Sequence, residues 1–247
     1  MNDKMDRTGK WLCAGMLGLA LTTTAARGDS AAGFFRAEAP SNGTVLVSMP
    51  FHPFAEGRLD DVLRGTLAPG SIPGEGADAS LWIAEAQAMT NAWLQAPGED
   101  GAPRWVTGND PADASPFDLP LSAGDALFIR NREAGPAQIF LSGLVPFEAS
   151  CPAFVQPGLN LLAFGYPADM PATNAAFEGM RPYIRLWDVA SQSYAAVSNG
   201  LIPWTAGFWT ERTATNVAEW TRSSPFPGGL SRDNLPPGTA ATALHPA

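Results

Sequence analysis

The sequence predicts an all-β or mainly β fold in which two tandem pseudo-repeats build one sandwich or barrel-like domain with short helical turns. Short apolar runs rich in Val, Leu and aromatic residues, such as residues 45–49, are closed by Pro or Gly rather than continued, as strands are. Four elements recur in the same order in the two halves of the chain, and recurrence of this kind dictates architecture. Beyond the first 26 residues the only cysteine is Cys151. No intramolecular disulfide is then available, and a buried core must hold roughly 220 residues together.

The first residues set the expected compartment. Lys4, Arg7 and Lys10 precede an apolar stretch over residues 11–26 that ends in the small residues Thr24, Ala25 and Ala26. Positive, then apolar, then small is the order of a secretory signal peptide, read here as residues 1–26. The stretch is shorter and more polar than the roughly 20 residues a spanning helix requires. Lys10 and Trp11 stand where a lipoprotein signal has apolar and small residues, so Cys13 is not read as an acylation site. The expected location is therefore outside the cytoplasm: periplasm, cell surface or extracellular space. Both lysines fall in the leader, and from Arg27 onward 12 Arg face 22 Asp and Glu, a formal charge of about −10. Such a surface repels phosphate backbones, which argues against a nucleic-acid partner. The wealth of Ala, Gly, Pro and Arg without Lys is what a GC-rich bacterial genome encodes.

The recurring elements come next. Gly43-Thr-Val-Leu-Val-Ser-Met-Pro-Phe51 matches Gly158-Leu-Asn-Leu-Leu-Ala-Phe-Gly-Tyr166 at an offset of 115. Leu63-Arg-Gly-Thr66 matches Phe177-Glu-Gly-Met180 at an offset of 114. Leu81-Trp82 answers Leu186-Trp187, each starting a run toward an aromatic, Trp93 or Tyr194. Last, the stretch from Leu119 through Gly124 to Phe128 answers the stretch from Ile202 through Gly207 to Trp209. The units are placed at residues 40–147 and 154–226.

Within each unit the first run reads as a strand stopped by Pro50, which cannot donate to a ladder. Leu59, Val62 and Leu63 have helical spacing and predict a turn or two of helix, with Gly65 and Gly179 ending it in the left-handed region. The Leu-Trp element predicts a strand, a turn and a return strand. The last element predicts a hairpin, residues 126–130 with 138–141 in one half and 208–211 with 217–220 in the other. The first unit spends 42 residues between Trp82 and Gly124 where the second spends 20 between Trp187 and Gly207. The excess, residues 95–118, is rich in Pro, Gly, Asp and Asn and predicts a surface loop dispensable for folding. Insertions on one face of a repeat are common places for function. Residues 227–247 have few apolar anchors and predict a disordered tail.

Gly158-Leu-Asn160, Trp187-Asp188, Tyr194 and Ala206-Gly-Phe-Trp209, with Ser48-Met-Pro50 in the first half, resemble a unit of secreted bacterial β-rich repeat modules of unknown function. That unit runs from a Gly-Trp-Asn strand through a Trp-Asp strand to a Gly-Phe-Trp hairpin. Leu159 replaces the expected Trp, Gly165 the expected Pro and Ile83 the expected Asp. The resemblance covers roughly residues 40–225. It implies an exported β-rich module and brings no catalytic residue.

The chemistry-bearing residues are few. His245 lies in the tail, and His52 sits between prolines and phenylalanines in a packed loop. No nucleophile elbow, zinc-binding helix, paired-cysteine motif, phosphate loop or dinucleotide fingerprint occurs, so no cofactor is implied and no catalytic residue is assigned. Calcium would find oxygen ligands in Glu99, Asp100, Asp110, Asp113 and Asp118, yet without the alternating spacing of a calcium loop. Cys151, between apolar runs, reads as a small buried hydrophobe. Trp82, Phe128, Trp187 and Trp209 occupy matching positions among apolar neighbours and read as core. Trp93, Trp105 and Trp204 have weaker apolar surroundings. With Asp110 and Asp113 they form the candidate binding set, the rings to stack on a sugar or anchor a partner. Two functions follow as expectations: a non-enzymatic module binding an extracellular glycan or cell-surface protein, or a hydrolase of extracellular polysaccharide working through two carboxylates.

Overall fold

In Ala32–Ala39 the buried Phe35 and Ala39 alternate with the exposed Phe34, Arg36 and Glu38, and this period of two becomes the first strand. The structure, a computed structural model, describes residues 32–98, 101–175 and 177–226. The leader read at residues 1–26 and the tail read at 227–247 lie outside the described residues.

The first half contains β1 (Ala32–Ala39), β2 (Thr44–Ser48), the single helical turn α1 (Leu59–Val62), β3 (Leu63–Gly65), β4 (Asp78–Ile83), β5 (Ala88–Gln95), β6 (Arg104–Thr107), β7 (Ser115–Pro116), β8 (Ala126–Arg130) and β9 (Ala137–Leu144). The second contains β10 (Ser150–Val155), β11 (Gly158–Leu162), β12 (Met170–Pro171), β13 (Ile184–Asp188), β14 (Ser193–Val197), β15 (Leu201–Ile202), β16 (Phe208–Arg212) and β17 (Ala218–Ser223). The protein is mainly β, and all named strand pairs are antiparallel.

The large sheet of the first half runs β2-β8-β4-β5-β6-β7, and that of the second runs β11-β16-β13-β14. The first four positions thus share one order of connection. The final hairpin expected in each half does not form. Strands β8 and β16 stay in the large sheets, whereas the strands that follow them leave and pair with the first strand of their half, β9 with β1 and β17 with β10, because the apolar face of each returning strand is needed to close the core from the other side. Ala32–Ala39 and Ser150–Val155 begin ahead of the units read at 40–147 and 154–226, and each belongs to its own half. Neither large sheet closes on itself, so no barrel forms. Each half instead packs its large sheet and the pair formed by its first and last strands around its own core, the second half adding the short pair β12-β15. Phe35, Ile139 and Leu141 face Val45, Val47, Leu127 and Ile129 in the first, and Val155 and Trp220 face Leu162, Ile184 and Phe208 in the second.

The second matched element differs between halves. Leu63–Gly65 is a strand on β9, whereas Phe177 to Met180 makes a turn in which only Met180 forms a bridge, to Arg212. Gly179 takes the left-handed conformation expected of it (φ +80°), but Gly65 does not, because it is extended in β3. Residues 95–118 are also more than a loop. They carry β6, β7 and a 3-10 turn over Pro111–Asp113, and Trp105, Val106 and Phe117 are buried. The Trp105 amide donates to Asp60 Oδ1 at 3.0 Å, which ties β6 to α1. Polar composition hid a strand whose apolar pair, Trp105 and Val106, suffices to dock it, and deleting residues 97–115 would open the first core.

The halves meet along β2 and β11, the end strands of the two large sheets. Val45 and Val47 enter the first core while Leu46 turns the other way, toward Leu161, Ala126 and Ala163. The opening runs are continuously apolar because both faces of these strands are covered. Around that small cluster stand four half-buried aromatics: Trp82 meets Trp209 edge-on at 5.0 Å, Phe128 meets Trp187 edge-on at 6.0 Å, and Phe128 stacks on Trp209 at 6.5 Å. Hydrogen bonds across the junction are reciprocal. Gln87 Nε2 and Trp82 Nε1 both donate to the Leu159 carbonyl at 2.9 Å, and the Leu159 amide donates to Gln87 Oε1 at 2.8 Å. In the other direction Gln192 Nε2 and Trp187 Nε1 donate to the Thr44 carbonyl at 2.9 Å, and the Thr44 amide donates to Gln192 Oε1 at 2.7 Å. Each glutamine sits in the turn after a Trp strand at a left-handed φ of 49° or 50°. Its amide imitates a peptide group and closes backbone that an end strand would leave unpaired.

Asn tolerates the left-handed region better than Gln but is one methylene shorter. Gln87→Asn and Gln192→Asn are therefore each expected to lower unfolding free energy by about 1 kcal/mol through loss of the clasp. Urea denaturation measures this; unchanged stability in both variants would mean that the clasps contribute nothing.

Candidate functional site

Strand register assembles a groove on the face of the β11-β16-β13-β14 sheet beside the junction. Leu159 stands opposite Glu211, and Arg185 opposite Trp209, so the period of two places all four on one face. Tyr183 and Arg181 continue that row along the chain, and the six residues line about 240 Å3 of free space, part of it open to solvent. Leu159 is 41% exposed although its backbone is held by Gln87 and Trp82. Trp209 is half-buried and fixed by its neighbours: it packs against Trp82 and Phe128, and its Nε1 donates to the Tyr194 hydroxyl at 3.0 Å. Arg181 meets Glu211 through Nε to Oε2 at 3.2 Å and Nη2 to Oε1 at 3.4 Å, an interaction that raises the guanidinium pKa. Arg185 is exposed and makes no ion pair among the described residues. The groove thus offers an aromatic wall, one uncompensated guanidinium and one paired carboxylate.

The residues singled out from sequence lie elsewhere and do not converge. Trp93 and Trp105 are buried, at 4% and 2% exposure, which removes both rings from any surface where a sugar could stack. Trp93 Nε1 donates to the Gly108 carbonyl at 3.1 Å. Trp204 is half-buried and leaves its own half, packing on Phe35 at 5.4 Å and Phe51 at 6.1 Å in the core of the first. Asp110 is exposed and caps the 3-10 turn, its Oδ1 accepting from the Ala112 amide at 2.9 Å, and Asp113 is an exposed residue of that turn. Asp118 approaches Arg58 at 3.7 Å, and Glu99 and Asp100 lie outside the described residues. Among the described residues no three His, Cys, Asp or Glu side chains gather as a metal site. Arg181, Tyr183 and Arg185 carried a signal that composition obscured: they alternate in Arg-Pro-Tyr-Ile-Arg ahead of Trp187, as residues on one face of a strand do.

A second polar cluster lies inside the molecule and is structural. Arg222 is 3% exposed, and its guanidinium donates to the carbonyls of Cys151 (3.0 Å), Ala163 (2.8 Å) and Pro152 (3.1 Å), with Cys151 Sγ at 3.3 Å. It lies over Gly124, where a Cβ would fall 1.8 Å from Nη1 and where φ is +98°; only glycine fits. Asp125, beside it, accepts from the Ser122 amide at 2.6 Å. Burial holds the Asp125 carboxyl above its ordinary 3.8, opposed by the Ser122 hydrogen bond and the Arg222 charge. Tyr166 donates to the Glu148 carbonyl at 3.0 Å, and burial, then the nearby Cys151 and Glu148, push its hydroxyl up to about 12. His52 faces Glu148 at 3.2 Å on the surface. None of these groups opens onto the groove.

No protein-family model matches the chain, and no curated protein or solved structure is similar enough to it to count as a match.

The Asp125 carboxyl binds its proton more tightly in the folded state than in the unfolded one. Its contribution to stability is therefore full below about pH 3.8 and declines as pH rises through the raised folded value. Asp125→Asn removes that slope. Urea unfolding of both proteins between about pH 4 and pH 7 is expected to show the variant gaining on the parent as pH rises; parallel curves would mean that the carboxyl is not perturbed.

Proposed function

We propose that the protein is an exported, non-enzymatic binding module that takes an extracellular glycan in the groove formed by Leu159, Arg181, Tyr183, Arg185, Trp209 and Glu211. The supporting observation is the groove's composition: a fixed, partly exposed aromatic and aliphatic wall beside polar groups that offer both donors and an acceptor. Aromatic faces stack on the apolar side of a sugar ring, and Arg and carboxylate groups meet its hydroxyls. Export is the expectation read from residues 1–26, and it places such a module where glycans are encountered.

A carboxylate-pair hydrolase has less to support it. Two carboxyl groups about 5 to 10 Å apart are required on either side of a scissile bond. Among the described residues Glu211 is the one carboxylate lining the groove; it is paired with Arg181, and no second carboxylate faces it across a bound ring.

Affinity electrophoresis through gels containing neutral and acidic polysaccharides tests the reading. Retardation by at least one polymer is expected, with Tyr183→Ala weakening it roughly fivefold through loss of a stacking surface worth about 1 kcal/mol. Failure of every polymer to retard a folded chain, or retardation indifferent to Tyr183→Ala, would overturn it.

A further inference from the structure

We infer that the groove selects a saccharide carrying a carboxylate, a uronic acid residue, with Arg185 as the residue that recognises the acid. This rests on the glycan-binding reading above and adds the ligand's charge to it. The formal charge of the whole chain is −9, yet the groove brings two guanidinium groups against one carboxylate. Arg181 is committed to Glu211 by two contacts, which leaves Arg185 as the groove's cation without an ion pair among the described residues. Its planar fork can hold a carboxylate through two parallel hydrogen bonds. The register sets Arg185 directly opposite Trp209, so a ring lying on the aromatic wall would present a substituent at its edge to this guanidinium. Leu159 extends the apolar wall from across the sheet, opposite Glu211.

Size and rigidity sharpen the assignment. The groove is shallow and open to solvent, so it offers a wall for one ring of a longer chain rather than a pocket that encloses a ligand. Trp209 is packed between Trp82 and Phe128 with its indole nitrogen engaged by Tyr194, and the Leu159 backbone is clasped from the other half. The two halves together therefore preorganise the wall, and little side-chain ordering remains for the ligand to impose.

Titration of the full mature chain with methyl glucuronide and methyl glucoside, followed by the NMR signal of the Trp209 indole, tests this. The glucuronide is expected to bind at least about tenfold more tightly, since a hydrogen bond to a charged partner contributes about 1.5 to 3 kcal/mol. Arg185→Gln should abolish the difference by weakening glucuronide binding far more than glucoside binding, and Arg185→Lys should restore part of it. Equal affinity for the two glycosides, or a preference that survives Arg185→Gln, overturns the assignment of the acid while the glycan-binding reading stands. A groove that binds neither glycoside, in a chain that also binds no polymer, overturns both.

Discussion

The structure depends on the double coverage of β2 and β11. An end strand normally keeps one face or one edge in water, and here most of both is covered, with Leu159 left partly exposed at the rim. One face of each strand closes the core of its own half, the other meets its counterpart through Leu46 and Leu161, and glutamine and tryptophan side chains from the opposite half cap the backbone at Thr44 and Leu159. An unpaired edge is a hazard in any β protein, and the hydrogen bonds that remove it are the ones that join the halves. Loss of the junction would expose aromatic surface and unpaired backbone together, which couples the two cores without a disulfide.

The same junction accounts for the groove. Trp209 belongs at once to the inter-half aromatic cluster and to the groove wall, and Leu159 is both the clasped residue and a lining residue. Binding residues held by packing and hydrogen bonds keep their geometry better than residues on loops. Residues 95–118 have instead been absorbed into the first sheet: β6 adds to β5, its indole is buried, and the acids around it cap a turn or reach Arg58. Among the described residues the insertion also lines an open pocket with Ser71, through residues 95–98, Gly101, Ala102 and Arg104.

The buried Arg222 shows a different economy of polar groups. It satisfies its donors with three backbone carbonyls rather than a salt bridge, and it does so where Gly124 leaves room. The cluster links β17 to the connection that follows β11 and lies against Asp125 at the start of β8. It is a polar counterpart to the aromatic junction, again made from residues of both halves.

The sequence by itself determined the class of fold and most of its strands. Apolar runs stopped by Pro and Gly and the Leu-Trp hairpins are local signals and became strands or strand pairs close to the expected bounds, while the final elements became strands near the expected bounds that pair with other partners and not with each other. Trp82, Phe128, Trp187 and Trp209 read as core from their apolar neighbours, but all four are half-buried where the two halves meet, because the surface they pack on belongs to the other half. Whether Trp105 faced water, whether Gly65 ended a turn or joined a ladder, and whether residues 95–118 formed a loop or strands depended on contacts between segments far apart in the chain, which a local pattern does not contain. The groove belongs to that second kind. Arg181, Tyr183 and Arg185 alternate in a way that can be read from the chain, but their neighbours Leu159, Trp209 and Glu211 arrive through strand register. Only the tertiary structure decides register, because a slip of one residue sends every side chain to the opposite face.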